Sequence, residues 1–327
     1  MLLLALIIVF SLELKDCIFE TIIECGSRLI PSIFPSMIII TVICNTKFSN
    51  DIGEKKYILG ICKNRARIVF CSLLSGFILG PKILSETTQS GDETNYIALT
   101  TNAGIGYVVL FVGITMWNSI LYGIFLYLIQ IVSAIVFFNL QKKDCTDNGN
   151  ITKSKPILKN ITDSVQSSTR LMIDICGFTI FFAALNRIIL CLFSLNQQGV
   201  VFAIITSILE ITNGVQASTC IENNLISSFL CGFSVGFGGF CVIMQTIAVC
   251  KDCLKKTKLL IIKLLQGIIC GFSSMVFVSA FGIEPKLDIK ASISNDISIY
   301  NVIISSIFLF FVLILAKKCL TEKLSSI

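Results

Sequence analysis

Leu73-Leu-Ser-Gly-Phe-Ile-Leu-Gly-Pro-Lys-Ile-Leu-Ser-Glu86 is an apolar run that breaks and restarts within fourteen residues. Gly76 and Gly80 loosen a helix, Pro81 suits only the opening of a new one, and Lys82 and Glu86 follow while the surroundings are still apolar. The stretch therefore reads as a broken helix at membrane depth. Lipid offers nothing to an unpaired N–H or C=O, so irregular backbone is tolerated there only where protein or a wet cavity covers it. That makes the break one half of a candidate solute site.

The whole chain supports a membrane setting. Its 327 residues are 54% hydrophobic and 14% charged, with a mean hydropathy of +0.87, outside the range of soluble globular domains. The expected fold class is all-α: a polytopic membrane protein. The 15 cysteines lie scattered through apolar segments, as at Cys44, Cys71, Cys191 and Cys270, and read as small buried hydrophobes. One close pair, Cys250 and Cys253, has no second pair to complete a metal site, and the chain lacks histidine. The net charge of +6 is confined to short loops between apolar spans, which fits the positive-inside rule better than a nucleic-acid surface. With no Gly-x-Ser-x-Gly elbow and no Walker-type phosphate loop, the sequence carries no enzymatic or ATP-driven signature.

Read in order, the chain predicts eight crossings and an inverted repeat. Met1–Leu14, without a basic leader or a cleavage site, is expected to form a short first span, and Ile18–Cys44, kinked by Pro31 and Pro35, a second. A first hairpin is expected over about 66–90, and Asn95–Trp117 is interrupted at Thr100–Gly106; Ile120–Leu140 completes an N-terminal repeat over 1–140. Gln141–Asp163, with five lysines, is a linker. The C-terminal repeat, 164–327, runs through Val165–Leu195, a second hairpin over about 199–226 broken at Ile211–Gly214, Phe229–Val249 interrupted at Gly236–Gly239, and Leu259–Phe281 as a plain span. Ser298–Ala316 is a final span without a counterpart. Four features of the second half, Ser168-Thr-Arg-Leu171, the break at Ile211–Gly214, the interruption at Gly236–Gly239 and the plain span Leu259–Phe281, echo Gly26-Ser-Arg-Leu29, Gly76–Lys82, Thr101–Gly106 and Ile120–Leu140 in the same order at offsets of about 130 to 142 residues.

Charge counting orients this plan. Loops 47–67, 141–163 and 251–258, with the tail after Ala316, hold 18 of the 26 Lys and Arg, so this face is assigned to the cytoplasm. Lys153 and Lys317 then face the cytoplasm, and Asn196 and Lys286 the other side. The two hairpins enter from opposite faces and, with two broken transmembrane helices, meet near the midplane, the arrangement of a secondary transporter.

The candidate site residues cluster at the breaks. Gly80, Pro81 and Lys82 would present free N–H groups and an ammonium to an anion at a half-helix start. Equally, Lys82 could snorkel or pair with Glu86. Glu210, Thr212 and Asn213 place a carboxylate and two hydrogen-bonding side chains at the second tip, where Arg187 or Arg170 would make Glu210 a structural pair. Thr101 and Asn102, with Ser234 and Gln245 in the matching span, offer neutral donors and acceptors, or simply hold helices together. No cofactor or metal is called for beyond a coupling cation or proton. A small-molecule solute and the bilayer are the partners, and homo-oligomerisation is left open.

Several of these pieces carry a family resemblance. Arg28-Leu-Ile-Pro-Ser-Ile-Phe-Pro35, Gly76-Phe-Ile-Leu-Gly-Pro-Lys82, Leu99-Thr-Thr-Asn-Ala-Gly-Ile-Gly-Tyr-Val108, Leu209-Glu-Ile-Thr-Asn-Gly214 and Phe237-Gly-Gly-Phe240 with Gln245 span nearly the whole chain in order. The chain resembles the sporulation integral membrane proteins of the nucleoside-recognition, or Gate, domain family (YlbJ-like). It departs from that pattern at Ile78, where a proline is usual, and at Thr101–Ile105, where the family has an Asn-Asn-x-Ser-Pro run. The resemblance implies a fold like the concentrative nucleoside transporters. It also implies a cell-membrane location, in a sporulating cell the mother-cell-derived membrane around the forespore. The implied activity is movement of a small anionic or nucleoside-like solute, with dipicolinic acid suggested for sporulation members. A non-transporting scaffold in spore morphogenesis is the alternative.

Overall fold

The computed structural model describes residues 7–8, 10–44, 57–58, 61–76, 78–87, 93–141, 157–193, 199–250 and 253–285. Apart from a two-residue ladder pairing Tyr57 with Cys62 and Ile58 with Ile61, its described elements are helices. The chain is an all-α membrane protein. Among the described residues four helical stretches are long and apolar enough to cross a bilayer: Ile120–Leu140, Leu158–Leu192, Asn224–Cys250 and Lys256–Phe281. The expected final span, Lys153, Asn196, Lys286, Lys317 and most of the 141–163 linker lie outside the described residues.

The first helices differ from the expected division. α1 (Ser11–Glu24), a π-helical segment (Cys25–Leu29) and α2 (Ile30–Cys44) form one run, with right-handed helical backbone at Glu24 and Ile30. Lys15 and Asp16 sit exposed inside α1, so no loop separates a span ending at Leu14 from one starting at Ile18. Two charges on an exposed turn leave the i→i−4 ladder intact, and hydropathy alone misplaced a boundary there. The expected proline kink takes the form of the π-helical turn ahead of Pro31, whose ring obstructs the carbonyl four residues back.

Two short antiparallel pairs follow the same design. α3 (Lys63–Ser75) stops at Gly76 and α4 (Leu79–Thr87) restarts three residues beyond it. α8 (Val200–Leu209) stops at extended Glu210 and α9 (Ile211–Thr219) restarts at once, so the expected break at Ile211–Gly214 falls instead at Glu210, whose carboxylate caps a helix that these residues open. Each pair folds back on itself through a Ser–Gly contact: a Cβ added at Gly80 would lie 2.4 Å from the Ser72 Cβ, and one at Gly214 would lie 2.6 Å from the Ser207 Cα. Only a residue without a side chain lets the two backbones approach so closely.

Each pair leads into a broken helix. α5 (Thr94–Thr100) gives way to non-helical residues 101–104 and then to a π-helical segment, Gly106–Met116. α10 (Asn224–Phe237), capped at its start by the Asn223 carboxamide, ends at left-handed Gly238, and α11 (Gly239–Cys250) continues. Each fold-back touches the break that follows it. Gly76, at φ +88°, brings its Cα against the Gly104 amide, while Gly239, at φ +78°, lies against Leu209 O and Glu210 Cα. The separation from Gly76 to Glu210 is 134 residues, and that from Gly104 to Gly239 is 135.

Long helices enclose these parts. α6 (Ile120–Leu140), α7 (Ile157–Leu192) and α12 (Lys256–Phe281) surround the broken elements. The start of α7 absorbs residues 157–163 of the expected linker, since buried Asn160 donates to Val42 O at 3.1 Å and ties this turn to α2. α10 packs tightly on α12, with Gly232 and Gly236 against Cys270 and Ser274. Outward on α6, Leu121, Ile124, Leu128, Val132, Val136 and Leu140 form an exposed apolar stripe at helical spacing, as a lipid-facing surface requires.

Candidate functional site

The two fold-backs, the first break and the helix that follows the second break meet at one cavity. Ser75, Gly76 and Ile78 line it from the first tip, Gly104 and Tyr107 from the first break, Glu210, Ile211 and Thr212 from the second tip, and Cys241, Val242 and Gln245 from beyond the second break. Leu29, Ile33, Ser36 and Met37 close one side, and Ile175 and Thr179 of α7 another. The cavity has a volume of about 60 Å³, several times what one water needs. Chain breaks explain why polar groups collect here: unwound backbone leaves N–H and C=O groups that side chains, solvent or a ligand must satisfy.

Glu210 is the charged group of this cavity. It is 2% exposed, and its carboxylate accepts from the Asn213 amide at 2.7 Å, capping α9. The Thr212 amide and hydroxyl stand close to the same carboxylate. The alternative in which Arg187 or Arg170 pairs with Glu210 is not what forms: among the described residues no Lys or Arg lies within ion-pair distance of it. The Tyr107 hydroxyl is buried beside the Thr212 side chain and, among the described residues, has no hydrogen bond of normal geometry.

A second cavity adjoins the first through Tyr107 and Thr212. Asn213 lines it, together with Glu24, Cys25 and Gln216, and Gln216 Nε2 donates to Glu24 Oε1 at 3.1 Å. Both cavities are walled partly by π-helical backbone, through Cys25 and Leu29 on one side and Tyr107 on the other.

Of the candidate residues, Glu210, Thr212 and Gln245 thus share one cavity, with Asn213 beside it. Lys82 and Gly80 are placed elsewhere. The α4 helix restarts at Leu79, ahead of Pro81, so the Lys82 amide is not free but bonds Ile78 O at 3.0 Å. The Lys82 ammonium donates to Ser167 Oγ of α7 at 2.6 Å, rather than pairing with Glu86. Gly80 is buried against Ser72 and Thr100 as a packing contact. The expected meeting of Lys82 with Glu210 in one cavity is therefore not found; the glycine at the tip that faces Glu210 is Gly76.

Thr101 and Asn102 belong to a separate buried network built on a residue that hydropathy concealed. Lys263, read as part of a plain span, is fully buried in α12. Its ammonium donates to Thr101 O at 2.6 Å, to Gln266 Oε1 at 2.8 Å and to Asn102 Oδ1 at 3.3 Å. Gln266 Nε2 in turn donates to Asn102 Oδ1 and to Gln130 O, both at 2.9 Å. The spacing of Lys263 and Gln266, one turn apart on one helix face, was the available signal.

Fold and cavity together define a polytopic helical membrane protein with a polar pocket at the junction of two broken helices and two folded-back helix pairs. No family model, no curated protein and no solved structure matches the chain.

Proposed function

We propose that the chain is a secondary transporter or permease for a small nucleoside-like solute, working in the membrane of a sporulating cell as its likeness to the Gate-domain sporulation proteins implies. The observation that carries this reading is the shared cavity: three chain breaks and the helix that follows a fourth supply its walls, and Glu210, Thr212, Gln245 and Tyr107 supply its polar groups. In this reading α3–α4 and α8–α9 are re-entrant hairpins of an inverted repeat. Helices of 13, 9, 10 and 9 residues reach only about 14–20 Å at 1.5 Å per residue, half of a ~30 Å hydrocarbon core.

The cavity's chemistry favours one of the two solute classes implied by the resemblance. Its described walls carry a carboxylate and neutral donors and acceptors but no lysine or arginine. A doubly charged acid such as dipicolinic acid would meet like charge at Glu210, whereas an uncharged polar ring with hydroxyls finds amide, hydroxyl and phenol partners. Glu210 then serves as the group that takes up the coupling proton or cation, since a buried carboxylate with no cationic neighbour is stabilised by binding one.

Uptake by vesicles containing the purified protein tests this. Saturable accumulation of uridine that depends on an imposed proton or sodium gradient is the expected result. Accumulation of dipicolinate instead would assign the site to anions. Accumulation of neither would favour the non-transporting scaffold.

A further inference from the structure

The Lys263 network presents an ammonium held entirely by neutral oxygens at an unwound stretch of helix. Its three donors meet three acceptors: the Thr101 carbonyl freed by the break, and the carboxamide oxygens of Asn102 and Gln266. Both amide side chains are turned for this. Asn102 Nδ2 donates backwards to Leu99 O at 2.7 Å, and Gln266 Nε2 donates to Gln130 O, so that both oxygens face the ammonium. Lys263, Gln266 and Thr101 are 0% exposed and Asn102 is 1% exposed. A cage of a freed backbone carbonyl and side-chain carbonyl oxygens at a broken membrane helix is a ligand set suited to a monovalent cation.

We propose that the Lys263 ammonium is the tethered occupant of a monovalent-cation site formed by Thr101 O, Asn102 Oδ1 and Gln266 Oε1, so that no free sodium or potassium ion binds there. The side chain reaches this place from α12, and its loss would leave three buried oxygens turned toward an empty centre. Removing it converts a self-filled site into one that a dissolved ion can fill. A lysine acting only as a strut between α12 and the first break would have no such replacement.

The test is thermal unfolding of the full chain in detergent, for wild type, Lys263→Ala and Lys263→Met, in sodium, potassium or choline chloride at equal ionic strength. Wild type is expected to unfold at the same temperature in all three salts. Both variants are expected to unfold several degrees lower in choline and to recover saturably in sodium or potassium, with Ala recovering more because it leaves more room. Saturable stabilisation of wild type by sodium or potassium over choline would overturn the proposal, because its site would then be open to ions. So would variants that fold but respond alike to the three salts, or that fail to fold even with sodium or potassium present.

Discussion

Replacing Glu210 separates a transport role from a structural one by the sign of two measurements. The carboxylate is 2% exposed, accepts one backbone hydrogen bond of 2.7 Å and has no cationic partner among the described residues. Glu210→Gln keeps an oxygen able to accept from the Asn213 amide while removing the charge, so the cap of α9 survives and a buried charge disappears. The change in unfolding free energy should lie within about 1 kcal/mol of wild type, since capping as a whole contributes only about 0.5–2 kcal/mol. Glu210→Ala removes the acceptor as well, leaving the Asn213 amide unpaired, and should cost about 1–3 kcal/mol. Were Glu210 half of a buried ion pair, Glu210→Gln would itself cost about 3–5 kcal/mol. Denaturant unfolding in micelles measures these differences, and gradient-driven uptake by vesicles of the same preparations measures coupling. The expected pattern is a stable Glu210→Gln protein that equilibrates solute without concentrating it. A Glu210→Gln protein destabilised by about 3 kcal/mol or more, yet still concentrating solute, would refute the assignment.

Three further outcomes follow from the packing and polar contacts. Gly80→Ala places a methyl 2.4 Å from the Ser72 Cβ and 2.6 Å from the Thr100 Cβ and should destabilise by about 1–3 kcal/mol. Gly177→Ala, with nothing within 4 Å on α7, should instead stabilise by about 0.5–1 kcal/mol, and equal unfolding free energies for the two variants would contradict this. Lys82→Met breaks the contact with Ser167 and should lower stability by about 1 kcal/mol with solute affinity unchanged; a tenfold rise in the uptake KM would return Lys82 to the solute site. Arg65, ion-paired with Glu93 and stacked 4.6 Å from the centre of the Tyr96 ring, fastens α3 to the start of α5. Arg65→Lys should cost about 1–2 kcal/mol by chemical unfolding, whereas no measurable loss would make that fastening ornamental.

The breaks were legible in the sequence to within a residue or two because glycine and polar residues cluster in otherwise apolar runs near Gly76, Thr101–Gly104, Glu210 and Gly238–Gly239, although glycines and prolines also stand inside unbroken helices, as at Pro35 and Gly177. What each break touches was not legible. Lys82 looked like a partner for Glu210 because both stand near tips, but Lys82 lies six residues beyond Gly76, one turn into α4, and its ammonium meets Ser167. Lys263 was hidden by its neighbours: it follows Lys256 and Lys258, and a lysine early in a span ordinarily reaches back to the interface. Its acceptors at Thr101 and Asn102 lie about 160 residues away in the chain, a distance that no local pattern records. The continuity of α1 through Lys15 and Asp16 escaped hydropathy for the opposite reason, since charge on a solvent- or headgroup-facing turn does not interrupt hydrogen bonding along the helix.

The π-helical walls give the cavity a way to turn. A segment bonded i→i+5 holds one more residue per closed ring than the α pattern, and Gly106–Met116 carries Tyr107 and Phe111 on such a backbone. Closing one of its rings to i→i+4 would advance the rest of the segment by one residue, a rotation of about 100° about the helix axis. A slip of that size would change which side chains of this segment face Glu210 and Thr212. Rotation of a wall in its own bore, rather than displacement of whole helices, is a movement that π-helical backbone of this kind makes available to the pocket.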